Sequence, residues 1–309
     1  MVNPPGFSTI EMMDTSPWLQ NIKDQFENNI WPSECQRCEQ TEKINGTSIR
    51  LNSIKLDQTQ TRTDYLHVSG VLDNICNSAC QFCNLTLSTK IGSLTSVNYI
   101  KIDNSERYWS LPLERIEHLD INGGEPSASK NYKKILENLP PNLKTLRVNT
   151  NCSILLPELQ KINDTGIEVT VTVSFDGIGL VHDYVRWPIK WDKFYENLME
   201  YKTYKIHSLN LWSTINVLNI NDWENMLEFI KLHEFDHSYA LLSAPSPLNI
   251  GFENLLTLKA KQQLELSDNP VLVNLANEIA IKGNNENELK SFIAKQDQIR
   301  NINILDFIN

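Results

Sequence analysis

The segment Ile75 to Asn84 reads ICNSACQFCN and places Cys76, Cys80 and Cys83 within eight residues, at the spacing C-x3-C-x2-C. Thiolates this close on one loop can wrap a backbone around an iron–sulfur cubane, or can ligate zinc. The count of three is informative. A structural metal site is closed by a fourth protein ligand, whereas an open position admits a substrate or cofactor. The spacing therefore suggests a [4Fe–4S] cluster with one iron free of protein. The flanking Asn77, Ser78, Gln81 and Asn84 are polar, unlike a core segment in which cysteine serves as a small hydrophobe. The rival reading is a four-thiolate zinc site from Cys35-x2-Cys38 and Cys80-x2-Cys83. It would span the 41 residues from 39 to 79 and leave Cys76 idle.

Four further clusters carry chemistry: NGGEP (Asn122 to Pro126), NTN (Asn149 to Asn151), SFDG (Ser174 to Gly177) and TINV (Thr214 to Val217). Gly123 and Gly124 permit close backbone approach, and Pro126 restricts Glu125 to an extended conformation. Ser174 and Asp176 stand at alternate positions and are expected to share one strand face. The Arg186 guanidinium suits a carboxylate bidentately, either on a ligand or in a surface pair with Asp183 or a nearby glutamate. Asn149, Thr150 and Asn151 are expected to line the cavity. His182 lies in a strand-to-helix loop and is a candidate to face the site. His67, His118, His207, His233 and His237 read as structural histidines.

These clusters need elements to hold them. Strand-like runs occupy 65–75, 115–125, 143–151, 166–176, 209–217 and 236–244. Helix-like segments at 130–138, 154–163, 190–204 and 221–234 lie between them, with an N-cap for the last expected in NINDW. Alternating strands and helices imply a parallel sheet with helical crossovers. Six units suggest an open, partial (β/α)6 barrel of the α/β class. Chemistry in such folds collects at the C-terminal ends of strands, and every cluster above falls at one. The barrel is expected over 63–250, a small N-terminal extension over 1–62 and a helical C-terminal segment over 251–309. In the extension, Ser16 and Pro17 read as the start of a helix carrying Trp18, Leu19, Ile22 and Phe26.

The chain of 309 residues has a formal net charge of −10, which disfavours nucleic-acid binding. No apolar run is long enough to span a membrane and no leader is recognisable, so a cytoplasmic location is expected. In that reducing compartment, clustered cysteines are metal ligands or redox groups more often than disulfides.

The C-x3-C-x2-C triplet with Phe82 before its third cysteine, followed by GGEP after the next strand, resembles the radical S-adenosylmethionine (SAM) superfamily. VSFDGIGLVHDYVRWP and STINVLNI extend the likeness, which runs from about Leu66 to Ala244 and is nearest to the subgroup with SPASM or twitch extensions. The resemblance implies that Cys76, Cys80 and Cys83 hold a [4Fe–4S] cluster whose fourth iron is chelated by the methionine part of SAM. It implies that Gly123, Gly124 and Glu125 meet the SAM amine, and that Arg186 lies near its carboxylate. Ser174 and Asp176 would bind ribose or substrate, Asn216 and Val217 would meet ribose and adenine, and Phe82 would pack on the adenine. The expected activity is reductive SAM cleavage giving a 5'-deoxyadenosyl radical that abstracts hydrogen, with flavodoxin or ferredoxin as electron donor and a peptide or protein as preferred substrate. A non-catalytic zinc or iron–sulfur scaffold is the alternative.

Trp31, Pro32, Cys35, Cys38, Glu42, Gly46, Ser48 and Arg50 resemble a W-P-x2-C-x2-C-x3-E-x3-G-x-S-x-R segment of twitch-type members, many of them viral or phage proteins. That implies an auxiliary metal or iron–sulfur cluster at Cys35 and Cys38, although a pair cannot complete a site alone. Cys152 is either a third ligand or a small residue near the cavity.

Overall fold

The computed structural model describes residues 15–46, 50–51, 65–95, 101–265, 273, 276, 279, 281 and 283–307. The chain divides into two compact units. One comprises 1–66 and 106–116, the other 67–105 and 117–309, so the C-terminal segment belongs with the barrel strands. No helix among the described residues is long and apolar enough to cross a membrane.

The sheet has six strands in the order β1 to β6: Leu66–Val71, Ile116–Asn122, Thr145–Thr150, Glu168–Ser174, Ser208–Ile215 and Asp236–Leu241. The pairs from β2 to β6 are parallel. Helices cross between successive strands: α1 (Lys130–Glu137), α2 (Glu158–Asn163), α3 (Gly179–Val185) with α4 (Trp191–Thr203), and α5 (Trp223–Leu232). Parallel sheets covered on both faces read as continuous apolar runs. Here the strands alternate instead. Leu146 and Val148, and Val169, Val171 and Val173, are fully buried, while Arg147, Asn149, Thr172 and Ser174 are not. With a side-chain period of two, one face packs beneath the helices and the other lines an open interior. Phe194, Leu198 and Tyr201 of α4 recur at helical spacing and are completely buried, each contributing about 1.5–3 kcal/mol by leaving water.

Element boundaries follow local chemistry. The second helix starts at Glu158 rather than Ile154, because a residue preceding Pro157 is pushed out of the helical region. The expected N-cap in NINDW is not made. Asp222 occupies the position before α5 without a capping bond, because its carboxylate accepts from Ile178 N at 2.8 Å. Ser129, by contrast, caps α1 by accepting from Tyr132 N at 3.1 Å. Beyond β6 come α6 (Leu255–Glu265) and α7 (Glu286–Arg300).

The smaller unit holds helices at Pro17–Glu27 and Gln36–Asn45. Pro17 opens the first as expected, but Ser16 makes no side-chain cap.

Candidate active site

The cysteine loop leaves β1 and is tied down almost atom by atom. Ala79 N donates to Trp187 O at 2.7 Å and Gln81 N to Val185 O at 2.9 Å. The Gln81 amide donates to Tyr184 O at 3.1 Å, and Ser88 Oγ donates to Ser78 O at 2.6 Å. Asn151 reaches from the end of β3 to Asn77 Oδ1 at 2.9 Å. All three cysteines are free thiols. The Ser78 hydroxyl lies 3.2 Å from Cys76 Sγ and 3.6 Å from Cys80 Sγ.

Burial first, and the adjoining Cys80 second, push the Cys83 thiol up to about 12 and raise that of Cys76. Thiolates at Cys76 and Cys83 therefore call for a compensating cation, as a cluster of iron ions provides. No three Cys, His, Asp or Glu residues among the described ones converge on a single metal ion. A set of thiolates alone suits an iron–sulfur cluster or zinc. Beside the thiols lies Arg186, buried, with Nη1 on Asp176 Oδ2 at 2.9 Å. Its charge acts on all three cysteines. Its Nε is buried without a partner, a donor left over for an anionic ligand. The residues present thus fit both a cluster and a carboxylate-bearing cofactor.

Of these groups, Arg186 reaches a cavity of about 850 Å³ at the polar face of the sheet. Phe82, Asn149, Ser174 and Arg186 line it, together with Asp120, Arg147, Thr172, Asn210, Trp212 and Thr214. Of the last six, only Thr214, in the TINV cluster, was singled out from sequence. Polar residues at alternate positions of a parallel strand are the signal that could have found the others.

Other candidates sit behind this wall. The carboxylate of Glu125 is fully enclosed. It accepts from Ser127 N at 3.1 Å, Ser127 Oγ at 2.7 Å, Thr150 Oγ1 at 2.8 Å and Asn151 N at 2.6 Å. Burial raises its pKa and these bonds oppose the rise. Thr150 and Asn151 are therefore braces rather than cavity lining. A Cβ on Gly123 would stand 2.2 Å from Asp73 O, and one on Gly124 would stand 2.0 Å from Ile75 O. The close approach that these glycines allow is to the stem of the cysteine loop. Asp176 lies past the end of β4, buried, accepting from Thr214 N at 2.6 Å. Arg186 is thus paired with Asp176 and is not in a surface pair; Asp183 instead binds Lys190 at 2.9 Å. Asn216 and Val217 are completely buried. The Asn216 side chain accepts from Leu218 N at 3.0 Å and donates to Thr214 O at 2.9 Å.

His182 does not face the site. It is fully buried against Phe194 and Trp191, with both ring nitrogens unpartnered, and burial holds it neutral. Cys152 is likewise enclosed, its thiol 3.9 Å from Phe194 O, which makes it the small interior residue of the two alternatives.

In the smaller unit, Cys35 ends a 3-10 turn and Cys38 lies in the helix that follows. Gly46 closes that helix at φ 66°, a left-handed position suited to glycine. Arg50 bonds Glu42 through Nε at 2.9 Å and Nη2 at 2.6 Å, and lies 4.7 Å from the Trp31 ring. Its charge acts on both thiols. Ser48 lies outside the described residues.

A family model described as the Radical SAM superfamily matches residues 71–232, more than half of the chain. A search of curated proteins gives no match. Among solved structures, Streptococcus suis SuiB bound to S-adenosylmethionine is similar at 11% identity and TM-score 0.47, over 89% of this chain and 60% of that one. The same protein bound to precursor peptide SuiA is similar at 12% identity and TM-score 0.45, over 75% and 52%. Native anSMEcpe with bound AdoMet is similar at 13% identity and TM-score 0.47, over 70% and 64%. The chain thus spans between about half and two thirds of the length of these structures.

Proposed function

The chain belongs to the radical SAM superfamily of enzymes, and we propose that it cleaves SAM reductively at the mouth of the sheet cavity and directs the radical at a peptide or protein. The observation that carries this reading is the placement of three free thiols on one loop within the field of Arg186, whose Nε is unpartnered and which itself lines the sheet cavity. When bound, a [4Fe–4S] cluster supplies the electron that splits SAM into methionine and a 5'-deoxyadenosyl radical.

In this reading Cys76, Cys80 and Cys83 hold the cluster, and the Ser78 hydroxyl donates toward their sulfurs. Arg186, aimed by Asp176, donates Nε to the SAM carboxylate. The Gly123 to Glu125 turn receives the SAM amine through its carbonyls, and Glu125 fixes that turn through its bonds to β3. Phe82 packs on the adenine, while Ser174 and Asn149 offer a hydroxyl and an amide to ribose or substrate. Asp176, Asn216 and Val217 shape the rim from behind. The cavity volume is at the upper end of the range for ligand pockets, which leaves room for a substrate group beside SAM. A reduced flavodoxin or ferredoxin is the proposed donor. The peptide assignment rests on the likeness of Trp31 to Arg50 to twitch-type members, which also motivates a proposed auxiliary metal or iron–sulfur cluster at Cys35 and Cys38.

The test is anaerobic reconstitution with iron and sulfide, followed by reduction in the presence of SAM. Wild type should bind a brown cluster of about four irons at the triplet and release 5'-deoxyadenosine. Cys80→Ala should lose both. Full cluster iron and turnover in that variant, or a colourless zinc protein from wild type, would refute the assignment.

A further inference from the structure

The Ala79 and Gln81 N–H groups of the cysteine loop bond carbonyls at the end of α3 and just past it, whereas the Ala79 and Cys80 carbonyls receive a donor from elsewhere. Arg300, the last residue of α7, donates Nε to Ala79 O at 2.9 Å and Nη2 to Cys80 O at 3.3 Å, across 220 residues of sequence. Its Nη1 donates to Gln296 O at 3.2 Å and also bonds Gln296 Oε1. A basic residue at a helix end commonly caps its own last turn, and the Gln296 bonds are explained that way. The two bonds to the cysteine loop are not. Arg300 is only 5% exposed. All four of its bonds go to neutral carbonyl oxygens, whereas Arg186 is paired with Asp176. The helix is moored beside the same loop: Tyr184, whose carbonyl receives Gln81, donates its hydroxyl to Asp297 Oδ1 at 2.8 Å. Residue 300 lies beyond the family match, which ends at 232.

We propose that Arg300 is a positioning residue for the cluster, a rigid fork from the C-terminal helix that fixes the Ala79 and Cys80 carbonyls and places a buried positive charge behind the cysteine ligands. The proposal rests on the cluster reading above. A planar guanidinium holds two adjacent acceptors at fixed angles, which an ammonium cannot do. The Cys80 carbonyl, which also accepts from Cys83 N at 3.1 Å within the loop, is thereby held from outside as well, in the way that outer groups orient metal ligands. The buried positive charge, whose field reaches Cys80 and Cys83, also favours the reduced cluster, because potentials respond to local charge.

The test uses the full chain as wild type, Arg300→Gln and Arg300→Lys. In the apo protein, exchange of the Ala79 and Gln81 amides should be about tenfold faster in Arg300→Gln. In the reconstituted protein, Arg300→Gln should lose iron to a chelator about tenfold faster. Its reduced-to-oxidised ratio at a fixed potential should fall about tenfold, ~59 mV for one electron. Arg300→Lys should restore that ratio but not the rate of iron loss. Wild-type values for Arg300→Gln in all three measurements overturn the proposal. If Arg300→Gln does not fold, wild-type iron loss in Arg300→Lys overturns it. A wild type that binds no iron would sink the proposed function, and unchanged apo exchange would then separately sink the clamp.

Discussion

Gly124→Ala separates two reasons for a glycine in the turn after β2. One is room for a bound cofactor; the other is room for the chain itself. An added Cβ would lie 2.0 Å from Ile75 O, 2.4 Å from Ile75 C and 2.8 Å from Asn74 C, where ordinary contact begins near 3.4 Å. The backbone must therefore separate by about 1.4 Å (3.4 − 2.0). That shift would break the Glu125 N to Ile75 O bond, now 2.7 Å, and strain Gly124 N to Asp73 O, now 2.9 Å. Overpacking costs about 1–3 kcal/mol, and each lost bond adds roughly 1 kcal/mol. The apo protein should be destabilised by about 3 kcal/mol. A glycine kept only for cofactor approach predicts the opposite sign, since alanine at an ordinary φ stabilises by about 0.4–1 kcal/mol through the unfolded chain. Urea unfolding of metal-free protein decides, with Gly283→Ala as control because a Cβ there meets nothing within 4 Å. Unchanged or increased apo stability in Gly124→Ala would refute the account of loop-stem packing.

Asp176→Asn keeps an oxygen for Thr214 N but removes the charge paired with Arg186. Stranding one partner of a buried pair costs about 3–5 kcal/mol, so the urea midpoint should drop accordingly; a loss below about 1 kcal/mol would contradict it. His237 yields a pH prediction. Burial lowers its imidazole to about 4, and the ring contacts Ser213 Oγ at 2.9 Å. The unfolded ring titrates near 6.5. Between those values the unfolded chain binds a proton that the native chain refuses, so stability falls as pH drops through the window and levels off below it. Discounted for partial exposure, wild type should lose roughly 1–2 kcal/mol more than His237→Gln between pH 7 and 4, read from urea midpoints at each pH.

The local grammar was legible in the chain. The thiol spacing, the strand–helix alternation and the glycine turn are set within short windows, because loop curvature, side-chain period and steric permission are properties of neighbouring residues. The six strands of the sheet followed from it. What those windows could not hold is which partner each polar group finds. Glu125 closes on Thr150 and Asn151, Asp176 on Arg186, and Arg300 on Ala79 and Cys80, while His182 turns into the core. A buried hydrogen-bonding group takes whichever donor or acceptor the packed elements bring within about 3 Å. Sequence distance has no bearing on that competition, so it was decided only when the sheet and its helices assembled.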